Sequence, residues 1–405
     1  MPATRLRRAI VVGGSIGGLF AALLLRQRGW DVHVSERVAA PLSGRGAGIV
    51  THPRLWRILE ELGLDPRADF GVAVRRRVTF AADGTVAGTL ECPQVMTSWD
   101  RLFRMVRGAW PDARYSLGED LRAVSHDGDT VTARFGNGAV READLLVGAD
   151  GFRSTVRELC VGNAAPRYAG YAAWRGLVAE ADMPARAYAD LFGSFGFCLP
   201  EGEQMLGYPV AGEGNDLRPG HRRYNFVWYR PAGEADGLPD LLTDATGHTH
   251  ALSIPPPLIR ADVVAGMRQA ADAVLSPQFA AVVRATRQPF LQPIYDLESP
   301  RMAAGRVALL GDSAFVARPH LGAGVTKAAE DALALARALD GAPVPAGLAR
   351  YEAERLPAGR RLVQRARHLG AYLQAQRRTE EERLAAVLHH TPQAVMAETA
   401  LLDFE

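Results

Sequence analysis

The sequence predicts an α/β fold that combines a parallel sheet, an antiparallel sheet and C-terminal helices. Three observations predict it. A glycine-rich turn at residues 11–19 separates a short apolar run from a helix pattern. Two later apolar runs, within 145–157 and 305–332, each end in an aspartate beside a glycine, as buried parallel strands ending in a turn do. Residues 166–290 contain short alternating runs separated by glycine and proline, which is typical of antiparallel strands.

Composition narrows the class of protein. The chain has 405 residues, 48% apolar and 23% charged, which is enough for two domains and a large core. A net charge of +2 gives no strong attraction to nucleic acid or to an anionic membrane. No apolar run approaches the ~18 residues of a membrane helix. The three widely spaced cysteines predict reduced thiols in a cytoplasmic protein, with no metal site.

The first glycine-rich turn has the layout of a dinucleotide-binding fingerprint. AIVV (9–12) precedes the turn, a helix pattern follows it, and the strand pattern DVHVSE (31–36) ends in Glu36. Gly13 permits the tight turn, and Gly18 permits the helix to pack closely on the strand. The N–H groups at the helix start would bind a pyrophosphate, and Glu36 would accept from a ribose hydroxyl. These features predict a Rossmann-like domain, although the fingerprint does not distinguish FAD from NAD.

One position departs from this fingerprint. Ser15 stands where the middle glycine is expected, but its small side chain still allows close approach and can donate to a phosphate. The alternative interpretation is a glycine turn that only joins a strand to a helix. The strand, the helix and the acidic residue, all in the expected order, favour the nucleotide site.

The second and third motifs extend the predicted site. LLVGADG (145–151) is a strand pattern that turns sharply at Asp150, and VALLGD (307–312) is another that ends at Asp312. A Gly-Ala-Gly turn at 322–324 then opens a helix. Asp312 would hold a sugar-like hydroxyl chain, and the start of that helix would face a flavin carbonyl that becomes negative on reduction.

Together the three motifs resemble those of the single-component flavoprotein aromatic hydroxylases, the group that includes para-hydroxybenzoate hydroxylase and salicylate hydroxylase. The likeness runs from Val11 to about Tyr351, and the pattern D-G-x-R-S-x-x-R at 150–157 is specific to the family. The resemblance implies that this motif serves FAD and NADH or NADPH. Two positions depart from the pattern: Trp99 replaces a common FAD-contacting arginine, and Thr326 replaces a common asparagine.

Within that family, five stretches are most similar to the dihydroxypyridine hydroxylases. They are GGSIGGL (13–19), PLSGRGAGIV (41–50), YAGYAAWRG (168–176), NFVWY (225–229) and RPH (318–320). The resemblance implies hydroxylation of a hydroxypyridine such as 2,6-dihydroxypyridine, using O2, NAD(P)H and a flavin C4a-hydroperoxide. Open alternatives are a phenolic acid, a urate-like purine or a natural-product intermediate as substrate, and an FAD-binding sensor without turnover. The second and third motifs argue against an NAD-dependent dehydrogenase.

The resemblance and the motifs together imply a set of cofactor-binding residues. Arg45 is expected near FAD, with a solvent-exposed arginine as the alternative, and Pro319 is expected to shape its loop. The implied residues are Gly13, Ser15, Ile16, Gly18, Glu36, Arg37, Arg45, Asp150, Asp312, Pro319, Gly322, Ala323, Gly324 and Val325.

Four residues are candidates for contact with the substrate. His320, in the loop before the Gly-Ala-Gly turn, is the first candidate acid/base, with a packed or capping histidine as the alternative. His52 is a second candidate, with an exposed loop histidine as the alternative. Arg175 and Tyr208 are the polar groups expected from the antiparallel sheet. Trp174 and the aromatic residues of 226–229 could form a wall or could instead fill the core of the sheet, and strand alternation lets only 226/228 or 225/227/229 point inward.

The predicted organisation has three parts. Residues 1–165 and 290–348 would form the FAD-binding domain, residues 166–289 the substrate domain, and residues 349–405 a helical region. The C-terminal helices would pack on the domain surface or form a homodimer contact. The expected partners are a small aromatic substrate, NAD(P)H and O2.

Overall fold

A computed structural model describes residues 6–42, 48–65, 70–162, 164–376 and 379–402. It confirms the α/β class, with a parallel sheet, a largely antiparallel sheet and C-terminal helices. The described strands are β1 (Arg8–Val12), β2 (Asp31–Glu36), β3 (Gly48–Val50), β4 (Val72–Phe80), β5 (Val86–Ser98), β6 (Tyr115–Leu117), β7 (Leu121–Asp127), β8 (Thr130–Phe135), β9 (Val140–Ala143), β10 (Leu145–Gly148), β11 (Arg167–Ala179), β12 (Ser194–Cys198), β13 (Gln204–Val210), β14 (Arg223–Pro231), β15 (Phe290–Glu298), β16 (Ala303–Ala304), β17 (Val307–Leu309) and β18 (Phe315–Val316).

The helices cover the two large sheets and form the end of the chain. Two of them, α1 and α9, pack against each other beside the parallel sheet, and α10 packs on α9. The described helices are α1 (Ile16–Gln27), α2 (Pro53–Glu61), α3 (Trp99–Gly108), α4 (Thr155–Cys160), α5 (Ala185–Leu191), α6 (Gly237–Leu242), α7 (Ala261–Val274), α8 (Pro277–Ala285), α9 (Gly324–Leu339), α10 (Val344–Leu369), α11 (Glu380–Leu388) and α12 (Pro392–Glu398).

The six-stranded sheet positions the three motifs. Its strand order is β16-β17-β10-β1-β2-β6, and β1 pairs in parallel with both β2 and β10, while β10 pairs in parallel with β17. The carboxyl ends of these four strands therefore lie on one edge of the sheet, where ligands of open α/β sheets bind. The three acidic residues of the motifs lie at that edge, because Glu36 ends β2 and Asp150 and Asp312 follow β10 and β17. β7, β8 and β9 form a separate three-stranded sheet.

The nine-stranded sheet lies over that edge. Its order is β18-β15-β11-β14-β13-β12-β4-β5-β3, and its pairs are antiparallel except for the parallel pair of β12 with β4. The sequence pattern predicts strands in the 166–290 stretch, but no local pattern predicts that β3, β4 and β5 join them. Trp174 lies opposite Trp228 in the β11–β14 register, and both belong to the core under α5, α7 and α8. No helix of the described ranges is long and apolar enough to cross a membrane.

Candidate active site

The first glycine-rich turn is packed too closely for larger residues. Gly13 has φ +109°, in the region that favours glycine, and a Cβ added at Gly18 would lie 1.9 Å from the Gly13 carbonyl oxygen. Ser15 precedes α1 in an extended conformation, and its side chain makes no capping hydrogen bond in the described structure. Ile16 begins the helix and is buried. The first-turn N–H groups of α1 are therefore left for a ligand.

Glu36 is tied to this turn at the end of β2. One of its carboxylate oxygens accepts from the Gly14 N–H at 2.8 Å, and the other accepts from the Val38 N–H at 2.9 Å. The Tyr115 hydroxyl donates to the Gly14 carbonyl at 2.9 Å. The adjacent Arg37 is exposed and lines the large cavity described below. Glu36 therefore lies where a ribose would approach the turn.

The second motif is linked to the third by hydrogen bonds. The Asp150 carboxylate accepts from the Ser154 hydroxyl at 2.5 Å and from the Val156 N–H at 3.1 Å. Burial raises the pKa of this carboxyl, although these hydrogen bonds act in the opposite direction. The Arg157 guanidinium donates to the Ser313 carbonyl at 2.8 Å. The turns after β10 and β17 are thus held together.

The third motif places one carboxylate and one helix start side by side. The Asp312 side chain is 52% exposed, and its Oδ1 lies 3.5 Å from the buried Nζ of Lys327. That ammonium also donates to the Phe315 carbonyl. Gly322 has φ +59°, which lets the chain turn into α9 at Gly324. Ala323, which precedes α9, has no side-chain cap to offer, so these N–H groups also face a ligand.

A cavity of about 750 Å³, here called the central cavity, lies between the nine-stranded sheet and the carboxyl edge of the six-stranded sheet. It brings together residues from both. Gly13, Ser15, Ile16, Gly18 and Glu36 do not line it and lie along the same sheet edge. Arg45 lies outside the described residues. The predicted site residues that line it are Arg37, Asp150, Arg175, Tyr208, Asp312, Pro319, Gly322, Ala323, Gly324 and Val325.

The nine-stranded sheet contributes polar groups to an otherwise apolar wall. Arg175 donates from Nη1 to the Gln292 Oε1 at 2.9 Å, and its guanidinium lies 5.5 Å from the Phe290 ring centre. Burial raises the pKa of Tyr208 to about 12, against the effect of the nearby Arg175 charge. No described residue hydrogen-bonds the Tyr208 hydroxyl. These two side chains are therefore positioned to contact a ligand in the central cavity.

Strand alternation in β14 is resolved in favour of the 225/227/229 set. Val227 and Tyr229 line the central cavity, whereas Phe226 and Trp228 belong to the core on the other face of the sheet. Trp174 also points into that core. The aromatic wall of the cavity therefore contains Tyr229 but lacks the three other aromatic residues that sequence alone could have placed there.

His320 lies behind the cavity wall. It is 1% exposed, does not line the central cavity, and its Nε2 is 2.7 Å from the Tyr171 hydroxyl. Burial, together with the neighbouring Arg318 charge, lowers its pKa to about 3. The short turn 319–321 directs the ring inward, and the ring lies 4.7 Å from that of Tyr229. The structure thus does not bring His320 to the substrate side, and its acid/base role stays a prediction.

His52 is also placed away from the central cavity. It is 2% exposed, precedes α2, and its Nδ1 lies 3.1 Å from the Thr326 hydroxyl. It lines a second cavity of about 690 Å³, bounded by α2, β4, β5 and the end of the described chain. Thr326, one of the two departures from the family pattern, therefore contacts a predicted site residue.

Burial of His320 predicts a pH-dependent stability. Below pH 6.5 the unfolded chain binds a proton on His320 that the native protein binds only near pH 3. The free energy of unfolding should therefore fall as the pH drops through this window, by about 2 kcal/mol at pH 5 for this group. Denaturant unfolding measures this effect: the free energy of unfolding should change less between pH 7 and pH 5 in His320→Gln than in the parent protein.

Two other histidines provide the comparison. His33, whose pKa burial lowers to about 4, should contribute in the same direction, so His33→Gln should also reduce the difference. His390→Gln, at an exposed position, is the control for replacing a histidine outside the buried sites. An equal pH 7 to pH 5 difference in His320→Gln and the parent protein would contradict the prediction.

Several residues of the site were missed by the sequence analysis. Gln292 was not singled out, because a glutamine in a strand carries no distinctive pattern. Arg318 forms a buried ion pair with Asp296, with Nη2 and Oδ2 2.9 Å apart and both side chains 3% exposed. Thr399 and Ala400 line the central cavity from the far end of the chain. Only Arg318 had a signal, as part of the RPH stretch.

The residues present fit FAD. The missing Cβ at Gly18 leaves the turn free to approach a pyrophosphate, and two helix starts offer unpaired N–H groups to charged or polar parts of one elongated ligand. Glu36 would hold the ribose of the adenosine, and Asp312 the ribityl chain. The central cavity would then hold the ring system. No three His, Cys, Asp or Glu side chains within the described ranges gather as a metal site.

Comparison with known proteins agrees with this geometry. The family described as "FAD binding domain" matches residues 7–228 and 295–366, and the family described as "FAD binding domain-like" matches residues 168–296. These two matches cover the six-stranded sheet, the nine-stranded sheet and all three motifs.

Individual relatives are similar over most of their length. The 2,6-dihydroxypyridine 3-monooxygenase of Paenarthrobacter nicotinovorans is 34% identical over 81% of this chain and 82% of its own. The 3-amino-4-hydroxybenzoate 2-monooxygenase of Streptomyces cremeus is 35% identical over 89% of this chain and 86% of its own. The solved structure of 2,6-dihydroxypyridine-3-hydroxylase from Arthrobacter nicotinovorans superposes with a TM-score of 0.85 at 31% identity, over 95% of this chain and 96% of that one.

Proposed function

The chain belongs to the FAD-binding-domain family of flavoprotein monooxygenases, and on that premise we propose that it hydroxylates a hydroxypyridine such as 2,6-dihydroxypyridine. One observation carries the proposal. The central cavity combines the flavin-side residues Asp312 and Gly324 with Arg175 and Tyr208 on the opposite wall. A small ring bound there would lie between the cofactor and two hydrogen-bonding side chains. The similarity to a 2,6-dihydroxypyridine hydroxylase, in sequence and in structure, supports this choice of ring.

FAD, when bound, supplies the oxygen-activating chemistry, with electrons from NADH or NADPH. The protein's own part is to bind, orient and protect. The positive charge of Arg175 favours the ionised form of a ring hydroxyl, which makes the ring a better nucleophile. The hydroxyl of Tyr208 can donate to the same ring oxygen. The apolar side chains of Leu206, Val227 and Ile294 on the cavity wall exclude water from the reacting atoms.

The first test measures NADH oxidation and oxygen uptake by the purified protein, with and without 2,6-dihydroxypyridine. Strong stimulation, with one O2 consumed for each NADH and a hydroxylated product, is the expected result. Stimulation that yields hydrogen peroxide alone would make the compound an effector of this protein, whose true substrate would be a related but different ring. Absence of stimulation would remove the pyridine assignment and leave the family and the cofactor in place.

A phenol bearing a carboxylate is the second candidate substrate. The 35% identity to an enzyme named for 3-amino-4-hydroxybenzoate supports it. Arg175 supports it as well, because a guanidinium binds a carboxylate through two parallel hydrogen bonds. The same assay with 3-amino-4-hydroxybenzoate separates the two: the true substrate should give coupled turnover and the other compound should not.

The functional division of the chain is also a proposal. Residues 1–165 and 290–348 would bind FAD, and residues 166–289 would contribute most of the substrate wall. Strands β3 to β5 extend that wall although they precede it in sequence. The C-terminal region supplies Thr399 and Ala400 to the central cavity.

The role of Asp312 can be tested by cofactor content. Asp312→Ala should bind FAD about 10- to 100-fold more weakly, because a hydrogen bond to a charged group contributes about 1.5–3 kcal/mol. FAD released on dialysis and the ratio of flavin to protein absorbance measure this loss. Asp312→Asn keeps the shape and one acceptor, so it should lose less. An Asp312→Ala protein that purifies with full flavin would remove the assignment.

A further inference from the structure

The last described residues form part of the central cavity. Thr399 and Ala400 follow α12, line the cavity, and are 5% and 3% exposed. Ala400 has φ +55°, a left-handed conformation that is uncommon for alanine. Such a conformation persists where the surrounding contacts impose it. Contacts from two sides hold Thr399 and Ala400 as one wall of the central cavity.

One set of contacts comes from the nine-stranded sheet. The Arg77 Nη1 on β4 donates to the carbonyl of Met396 at 2.5 Å and to that of Thr399 at 2.7 Å. Its Nη2 donates to the Gln94 Oε1 at 2.6 Å, and the Gln94 amide donates to the Ala400 carbonyl at 3.3 Å. The Arg77 and Gln94 side chains, on the adjacent strands β4 and β5, therefore donate to three backbone carbonyls of the C-terminal segment.

A second contact comes from the flavin side of the cavity. The Ala400 N–H donates to the His320 carbonyl at 2.7 Å. A Cβ added at Gly322, in the same loop, would lie 3.3 Å from the Ala400 Cβ. Residues 396–400 therefore bridge the nine-stranded sheet and the loop that precedes α9, and they close the central cavity between them.

Arg77 differs from the arginines beside it. Its side chain is 0% exposed and lies over the ring of Phe195, which also lines the central cavity, at 5.2 Å. Arg75 and Arg76 are exposed. No carboxylate within the described ranges pairs with Arg77; its guanidinium donates to carbonyl and amide oxygens and also interacts with the Cys92 side chain. Burying a guanidinium is unfavourable unless such hydrogen bonds are made, which ties Arg77 to the C-terminal segment.

We propose that Arg77 is a positioning residue that fixes Thr399 and Ala400 as a wall of the substrate cavity and thereby determines which rings the cavity accepts. Without its guanidinium, the carbonyls of Met396 and Thr399 lose their donors and the wall moves. A displaced wall contacts the ring less well, so the ring binds more weakly, reacts more slowly once bound, and leaves room for water to reach the reacting atoms. This inference rests on the proposed function, because it requires an aromatic substrate in the cavity.

The experiment compares Arg77→Met with Arg76→Met, which removes the same charge from the neighbouring exposed position. Amide hydrogen exchange of residues 392–402 is measured without substrate in the FAD-loaded proteins. Arg77→Met should exchange in this segment about tenfold faster or more, because its local opening becomes easier. It should also show about a tenfold higher KM for the ring and more peroxide per NADH, at unchanged FAD content. Arg76→Met should match the parent protein in all three.

Further variants keep the inference testable if Arg77→Met does not fold. Gln94→Met removes the hydrogen bond to the Ala400 carbonyl and also an acceptor of the Arg77 guanidinium, so it should shift exchange and KM in the same direction by about threefold or more. Arg77→Lys keeps the charge but replaces the forked guanidinium with a single ammonium nitrogen, so it should recover part of the effect. The proposal is overturned if residues 392–402 exchange at the parent rate in Gln94→Met and also in Arg77→Met. If Arg77→Met does not fold, the same result in Gln94→Met and Arg77→Lys overturns it. So does an unchanged KM with faster exchange.

Failure of the proposed function gives a different result. In that case no hydroxypyridine or phenol stimulates NADH oxidation by the parent protein. The exchange measurement still shows whether Arg77 holds the wall, because it needs no substrate. Faster exchange in Arg77→Met would then support the positioning of the segment and refute the substrate assignment alone.

Discussion

Gly18→Ala is expected to lose its FAD and to lower the free energy of unfolding by about 1–3 kcal/mol or more. The added methyl carbon would lie 1.9 Å from the carbonyl oxygen of Gly13, and that oxygen belongs to rigid backbone. Relief requires the turn to move away from α1. The turn that would approach the pyrophosphate is the part that must move, so cofactor binding and stability should fall together.

Flavin absorbance relative to protein absorbance, and denaturant unfolding with FAD added or removed, measure the two effects. Gly266→Ala is the matched control, because Gly266 lies within α7 and has no neighbouring atom within 4 Å of an added Cβ. That variant should gain about 0.5–1 kcal/mol of stability and keep its flavin. A Gly18→Ala protein that retains FAD and full stability would contradict the proposed pyrophosphate site.

The parallel domain could be predicted because its signals are local. The strand, turn and helix of the first motif lie within residues 8–27, where Gly13 needs a positive φ and Gly18 leaves room for a close approach. Parallel strands place their carboxyl ends on one edge, so three motifs that each end a strand must meet there. The helix of this motif ends at Gln27, and a short turn follows in which Gly29 has φ +79°.

The nine-stranded sheet could be predicted only in part. β4 and β5 pair with each other, but they join the sheet through a parallel pairing of β4 with β12, more than a hundred residues away. Alternation within a strand shows which side chains share a face, but it does not show which distant strand lies beside it. Arg77 was hidden for the same reason. In the run of three arginines at 75–77, local sequence does not tell the buried residue from the exposed ones.

The position of His320 shows a second limit. The sequence correctly places it in the loop between Asp312 and the start of α9, beside the central cavity. The direction of the ring, however, follows from the short turn 319–321 and from the space left by Gly370. A Cβ added at Gly370 would lie 2.6 Å from the His320 Nε2. A close approach between residues fifty positions apart leaves no trace in the local pattern.

Arg175→Met is expected to lower kcat/KM for the ring substrate about 100-fold, because a hydrogen bond from a charged group contributes about 1.5–3 kcal/mol. FAD content should not change, since the Arg175 side chain contacts Gln292 and Phe290 on the opposite wall. Arg167→Met is the matched control: Arg167 begins the same strand, is exposed, and does not line the central cavity. Steady-state kinetics with whichever proposed ring gives coupled turnover provide the measurement.

The pH profile distinguishes a chemical role of Arg175 from a loss of packing. The guanidinium charge already opposes the rise in the pKa of Tyr208, so it acts on hydroxyl groups within the cavity. In Arg175→Met the guanidinium charge no longer stabilises the ionised form of a bound ring hydroxyl, so this hydroxyl should ionise only at higher pH. The variant should therefore recover part of its kcat/KM as the pH is raised, whereas a packing defect would lower the rate equally at every pH. A flat ratio of parent to variant activity between pH 7 and pH 9 would exclude the electrostatic role and leave Arg175 as a wall residue alone.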